Sequence, residues 1–356
     1  MARCLFIVQC EGRGHLSQSM ALARLLEGQG HEVVAVYAGS EGMGELPGYF
    51  REAFGDRLRT FAAPVFLRLP NRQGIRVGAT LGINLLRARR YLRAIRMLRR
   101  ALGEHEPDLV FNFYELVGAL ALRKAPPGIR RVAVGHHLFL HLQHYPCKGM
   151  PASRLLFGWL SRLILASSDR AWALSYQSGE GREKILVVPP LVRPDFLALP
   201  RKRGDRLLAY FLEEGYVWAL IAAAHRDPAL RADVFVAPAT LEQIPGEQVP
   251  PGLRLHPLSG PGFREHLARC RGLISTSGFD SLAEAACLGV PVAVVPSKGH
   301  FEQRCNARDA EANGFAVVLD SLDRIPAEAL PRFDPTPFRA WAGRWEEILA
   351  RELAGY

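Results

Sequence analysis

The chain has 356 residues, 49% of them apolar and 22% charged, with a formal net charge of +10 at pH 7. That length exceeds what one core ordinarily serves and implies two domains; the apolar content, without any low-complexity tract, excludes a disordered or fibrous chain. The charge favours anionic partners, whether a phosphate-bearing ligand, nucleic acid or a membrane surface, and does not choose among them.

The first apolar run, CLFIVQ at 4–9, has the pattern of a buried strand and is too short for a signal peptide, so a cytoplasmic protein is expected. It leads into EGRGHLSQS, residues 11–19. Gly12-x-Gly14 matches the opening of a dinucleotide-binding turn and makes an oxidoreductase the naive guess. Ser17, however, stands where the third small residue of that fingerprint belongs, and the next strand ends in VYAGS without the acid that would hold a ribose. The loop is better read as a tight turn that carries His15 to the start of a helix.

Further strands are expected at 32–37, 109–113, 132–135, 171–174 and 185–188, with helices such as 17–29 and 85–103 between them. Near-continuous apolar strands of this length suit a parallel sheet covered on both faces. No run reaches the roughly 18 apolar residues of a spanning helix; LLFGWLSRLILA comes nearest, and Arg162 interrupts it. Within 85–102, Tyr91, Ile95, Leu98 and Leu102 share one face, while Arg89, Arg93, Arg96 and Arg100 form a stripe opposite. That stripe first suits a crossover helix packed on the sheet with a solvated face; attraction to anionic lipid is the sharper alternative. Aromatic interleaving is sparse, so nucleic acid is not an expected partner.

PPLVRPDFLALPRKRGDR, rich in proline and basic residues, reads as the linker. A second series of strands follows at 207–211, 233–237, 253–258, 272–276, 291–295 and 315–319, with helices at 261–270, 279–288 and 301–313 and a last amphipathic helix from Pro337. The expected fold is therefore α/β: two doubly wound, Rossmann-like domains, 1–195 and 196–335, facing a central cleft, with residues 336–356 as a terminal helix that packs back toward the first domain. The six cysteines have no paired metal-ligand spacing and mostly fall in apolar periodic segments, so reduced, buried thiols and no metal site are expected.

The richest segment is GLISTSGFDSLAEAACLGVPVAVVPSKGHFEQRCNARDAEANG, residues 272–314. A strand ends at ST, and SGFDS turns into a helix whose free N–H groups offer an anion site. Gly278 allows close backbone approach, Ser277 and Ser281 add hydroxyls, and Glu284 is placed to accept from a ribose diol. The same pattern is also that of an ordinary capped helix with Asp280 as a solvated first-turn acid. Farther on, His300, Glu302, Gln303 and Asn306 cluster at the end of the next strand, where an acid beside an amide suits a polyhydroxylated ligand. His136 and His137, in VAVGHHLFL, follow a strand and are candidates for the cleft; no third ligand at local spacing supports a metal there.

The order of SG, E, GxPxxxxP, EQ and NA in this segment resembles the donor signature of GT-B nucleotide-sugar glycosyltransferases. The likeness is to MurG and its relatives in particular, with the UDP-glucuronosyl and plant glucosyltransferases further away. Chain length, the GRGH loop and PDLVFNFYELVGALAL extend it over most of the sequence. The resemblance implies an inverting transferase that moves a sugar from a nucleotide diphosphate, UDP by analogy, to a hydroxyl acceptor, with lipid-linked or cell-envelope acceptors among the candidates. It makes the first domain the acceptor side and the second the donor side. It assigns Glu284 to the ribose, Ser277, Gly278 and Phe279 to the pyrophosphate-facing loop, and Glu302 and Gln303 to the donor sugar, with Asn306 following them. His15 falls on the histidine proposed as catalytic base, with Glu115 and Glu11 as candidates to orient it. No cofactor beyond the nucleotide sugar and no metal is implied. After LLAYF, where the pattern expects a Gly/Ser-rich loop, this chain has LEEGY, a departure at the second diphosphate contact. A UDP-N-acetylglucosamine 2-epimerase-like isomerase, whose helix start is similar, and a non-catalytic nucleotide-sugar-binding protein are the alternatives.

Overall fold

A computed structural model describes residues 1–40, 42, 46–65, 67, 76–142, 150–323, 325 and 330–354. Seven strands, β1 (Arg3–Gln9), β2 (Glu32–Gly39), β3 (Leu58–Phe61), β4 (Leu109–Phe113), β5 (Arg130–Gly135), β6 (Arg170–Leu174) and β7 (Ile185–Val188), form an all-parallel sheet in the order β3-β2-β1-β4-β5-β6-β7. Six more, β8 (Leu207–Tyr210), β9 (Ala232–Val236), β10 (Leu253–Pro257), β11 (Leu273–Ser275), β12 (Val292–Val294) and β13 (Ala316–Val318), form a second parallel sheet in the order β10-β9-β8-β11-β12-β13. In each, strand order reverses once, between β1 and β4 and between β8 and β11, and that reversal opens a crevice at the carboxyl ends. Every strand expected from the apolar runs is present. β3 was not anticipated: it is a short edge strand whose buried residues, Leu58 and Phe61, are three apart and so lack a period-two signal.

The central strands are buried on both faces, with Phe6, Phe111, Phe113 and Trp172 among the largest fully covered side chains. Phe6 meets Phe111 and Phe113 edge-on at 5.5 and 5.4 Å. The two domains share a seam. Tyr176 stacks on Phe279 at 4.6 Å and donates from its hydroxyl to the Phe279 carbonyl at 3.2 Å.

Two expected helices are each divided. The basic segment spans the end of Val77–Leu86 and most of Ala88–His105. Asn84 near the break grips the backbone of Val65 through both ends of its amide and accepts from the Tyr91 hydroxyl at 2.6 Å, so the first piece is fastened to the chain beyond β3. Arg89, Arg93, Arg96 and Arg100 are exposed as expected, while Leu98 and Leu102 are buried. The tail forms Thr336–Ala342 and Trp345–Leu353 because its two tryptophans dock separately. Trp341 donates to the Ser175 carbonyl (3.0 Å) and Trp345 to that of Val192 (2.9 Å). Arg170 then clamps Glu352 with two bonds of 2.6 and 2.9 Å, holding the last helix against the first sheet. Among the described residues, no helix is long and apolar enough to cross a membrane. Cys4, Cys10, Cys270 and Cys287 are in no disulfide, but Cys305 is disulfide-bonded, which corrects the expectation that every cysteine is reduced. Cys147 lies outside the described residues.

Candidate functional site

Between the two sheets lies a cavity of about 630 Å³, lined by loops from the carboxyl ends of strands in both domains. β1 supplies the first wall. Gly12, at φ 82°, turns the chain so that the helix Gly14–Gly28 begins at the cleft, earlier than the apolar periodicity implied. His15 in its first turn lies 3.1 Å from Gln18 Oε1 through Nδ1. Gln18, buried itself, donates from Nε2 to both carboxylate oxygens of Asp280, at 3.1 and 3.0 Å, across the cleft. Asp280 also explains Gly14, since any Cβ there would overlap its carboxylate. Burial, opposed by the Gln18 hydrogen bond, raises the Asp280 pKa to about 6. Burial lowers that of His15 to about 4, which keeps the imidazole neutral across the physiological range.

β4 and β5 supply the second wall. Tyr114, in the left-handed region at φ 53°, hydrogen-bonds Ser161 at 2.6 Å. Its ring stacks on His137 at 4.3 Å and stands 6.4 Å from that of His15. Gly135 has no Cβ because Tyr114 passes within 3.2 Å of where one would be. His137 Nε2 pairs with Glu302 at 3.0 Å, a second link between the domains. Burial works against the Glu302 charge, yet His137 beside it, with His300 beyond, holds the carboxyl far below its usual range. His136 donates from Nδ1 to the Leu174 carbonyl (2.6 Å), stacks on Phe279 at 4.1 Å and faces the buried Asp309 at 3.9 Å. Glu115 is absent from the cavity lining: its carboxylate caps the helix Leu116–Leu122 by accepting from Gly118 N, and burial raises its pKa to about 7. Glu11 does line the cavity.

The third wall is the turn after β11. Ser277 sits at φ 64°, a conformation a non-glycine residue holds only when its surroundings fix it. They do so here: Ser277 Oγ donates to the Gln303 carbonyl (2.8 Å), and Asn306 Nδ2 donates to that of Ser277 (3.0 Å). Asn306 is wholly buried and braces the loop from behind rather than lining the cavity. Gly278 caps the helix Phe279–Cys287 and is exposed at the cleft, and Ser281 turns its hydroxyl back to the Gly278 carbonyl. Glu284 lines the cavity one turn on. Phe279 lines the cavity beside Gly278, with its ring packed between His136 (4.1 Å) and Tyr176 (4.6 Å) in the domain seam. His300 caps the helix Phe301–Ala312, and Gln303 Oε1 accepts from Ser297 N at 2.8 Å.

Arg13 and Arg193 line the cavity from the first domain, and the Arg13 charge partly offsets the rise that burial gives the Tyr210 hydroxyl of the second. At the LEEGY departure, Glu213 is buried and accepts from Ser297 Oγ at 3.0 Å, so that acid ties two loops together. Among the described residues, the one set of metal-type side chains is Asp233, His256 and His266. It lies outside the cavity, and its members are already occupied. Asp233 pairs with Arg206 and His256 at 3.0 Å each, and His266 donates to the Gly262 carbonyl at 2.8 Å.

Sequence reasoning missed Gln18, Tyr114, Arg13 and Arg193, and it left Asp280 as a solvated acid. The signal for Asp280 was Gly14: a glycine at a helix start marks a close approach, but only the facing domain identifies what approaches.

A family model described as Glycosyl transferase family 1 matches residues 2–333. An uncharacterized glycosyltransferase of Methanosarcina acetivorans is 23% identical, over 87% of this chain and 83% of its own. Among solved structures, MurG of Acinetobacter baumannii superposes with a TM-score of 0.57 at 15% identity, covering 100% of both chains. UGT2 of Phytolacca americana, solved with UDP-2fluoro-glucose and pterostilbene, gives 0.64 at 14% identity over 100% of this chain and 99% of that one.

Proposed function

The chain belongs to glycosyl transferase family 1 and is a GT-B glycosyltransferase, and from that premise we propose that it transfers a sugar, with inversion, from a nucleotide diphosphate to an acceptor hydroxyl, using His15 as general base. One observation carries this reading: a neutral histidine and a helix start built for anions face each other across one cavity.

In the proposed step the acceptor hydroxyl gives its proton to His15 Nε2 as its oxygen bonds to the anomeric carbon. The bond from that carbon to the diphosphate breaks with its electron pair on the leaving oxygen. The N–H groups around Gly278, aided by Arg13 and Arg193, are placed to offset the charge that develops there. Glu284 takes the ribose, and Glu302 and Gln303 take the sugar hydroxyls. UDP is the proposed nucleotide, and UDP-2fluoro-glucose in the Phytolacca americana structure supports it by analogy. No further cofactor is assigned. A transferase family favours this reading over the epimerase-like and non-catalytic alternatives.

The acceptor is proposed to be membrane-borne. Leu81, Leu85, Leu86 and Leu92 are 55%, 77%, 82% and 52% exposed beside the exposed arginine stripe, a combination suited to an anionic bilayer. The reading places the protein as peripheral on the cytoplasmic face.

The test is His15→Ala, assayed as nucleotide diphosphate released on addition of acceptor. A loss of about 10²–10⁴ in kcat is expected with donor affinity retained. Near-normal turnover would remove His15 from the mechanism. A thermal-shift panel of nucleotide sugars identifies the donor, since selective binding raises Tm by mass action.

A further inference from the structure

The cleft contains a chain of three side chains whose order has a chemical consequence: His15, Gln18 and Asp280, the last two separated by 262 residues. We propose that Asp280 of the second domain, acting through Gln18, sets the tautomer of His15, so that the base is held in its competent tautomer when the two domains are closed and Asp280 is ionised. Both are positioning residues, and the inference rests on His15 being the base.

The argument is one of donors and acceptors. An ionised carboxylate only accepts, and Asp280 presents both oxygens to one Gln18 nitrogen at 3.0 and 3.1 Å. The Gln18 amide must therefore turn its NH₂ group to Asp280 and its oxygen to His15. That oxygen also only accepts, so His15 Nδ1, 3.1 Å away, carries the imidazole proton. A neutral imidazole has one N–H, which leaves Nε2 with the lone pair that takes the acceptor's proton. Gln18 is 2% exposed, so water does not compete for either end of the amide.

Protonating Asp280 removes the constraint. One oxygen still accepts from the amide NH₂ group, but the new O–H can equally donate to the amide oxygen, so both amide orientations become available. In the turned-over one the NH₂ group faces Nδ1, the proton sits on Nε2, and the base atom is blocked. Opening the domains removes Asp280 altogether and leaves Gln18 without a fixed orientation. Gly14 supports the design, since it is the absence of a Cβ that lets Asp280 come this close. The charged and titratable groups lining the cavity around Asp280 and His15 are Glu11 and Arg13 from the same loop, Tyr49, Tyr114, His136, His137 and Arg193 from the first domain, and Tyr210, Glu284, His300 and Glu302 from the second. Of these, Glu302 pushes the Asp280 pKa up, which adds to burial in bringing it to about 6, above the value of about 4 for His15. The two groups therefore titrate in separable windows.

The experiment measures kcat, acceptor KM and donor Kd from pH 4.5 to 8.5 for the wild type, Gln18→Leu and Asp280→Asn, with ¹⁵N-histidine spectra of each to read the tautomer directly. The wild type should lose kcat as pH falls through about 6. Gln18→Leu, close in volume, should lower kcat roughly 10- to 100-fold with little change in donor Kd, and its His15 signals should show mixed tautomers. Asp280→Asn cannot ionise and can face Gln18 with either end; it should lower kcat several-fold and move the acid limb down toward pH 4. Wild-type kcat with an Nδ1–H tautomer in Gln18→Leu would overturn the proposal, as would an unmoved acid limb in Asp280→Asn. If Gln18→Leu does not fold, Asp280→Asn and its spectra decide. If His15→Ala stays active, the base assignment fails; if it is dead while both other variants behave as wild type, only the relay fails.

Discussion

Gly14 and Asp309 show how single positions here are set by the opposite domain. Gly14→Ala should help its helix, since alanine is favoured over glycine in a helix by up to about 1 kcal/mol. Its new methyl group would meet the Asp280 carboxylate and push that side chain off Gln18. The expected result is an unchanged or slightly raised Tm with kcat reduced at least ten-fold; a fully active variant would refute the contact. Asp309, buried beside His136, has its pKa raised by burial to about 7 from 3.8. The native state thus holds a proton that the unfolded chain gives up, and stability falls as pH rises between about 4 and 7. Asp309→Asn should be more stable than the wild type at pH 8, by up to roughly 4 kcal/mol, with the advantage vanishing toward pH 4. Urea melts at the two pH values read it.

At the scale of elements, the helix Ala88–His105 and the preceding Val77–Leu86 divide two tasks. Leu98 and Leu102 are buried under the first sheet, while Leu85, Leu86 and the arginine stripe face outward. Leu85→Ser with Leu86→Ser should leave Tm nearly unchanged, because side chains this exposed contribute little to folding. It should cut co-sedimentation with anionic vesicles several-fold, and high salt should weaken the wild type's binding through the arginines. Equal binding by wild type and variant would remove this surface from the acceptor hypothesis. The turn after β11 makes the same point from the other side: Ser277 holds a strained φ because Gln303 and Asn306, from the next helix, fix it.

For the whole molecule, closure depends on contacts that cross the chain's long separations. Trp345 and Glu352 bring the C-terminal helix back onto the first sheet, through the Val192 carbonyl and the bidentate Arg170 pair. Trp345 is 1% exposed, so Trp345→Ala should cost about 3–5 kcal/mol in chemical denaturation. It should also loosen the packing of the two domains; a cost under 1 kcal/mol would mean the helix docks independently of that side chain. With Tyr176 on Phe279 and Glu302 on His137, this strap holds the two sheet ends face to face.

The fold class, every strand but the edge strand β3, and the neighbourhood of most of the proposed donor site are legible in the residues alone. Apolar runs, capping residues and glycine turns are local, and local chemistry is enough to write a doubly wound sheet. It also brought His15 to a cleft. What His15 meets there is visible only in the folded chain, because Asp280, Tyr114 and Glu302 come to its surroundings from elements remote in the chain, and no periodicity records a contact across 262 residues. Burial did the rest. The same carboxyl that reads as a solvated first-turn acid in a sequence becomes, once another domain covers it, a group poised near pH 6.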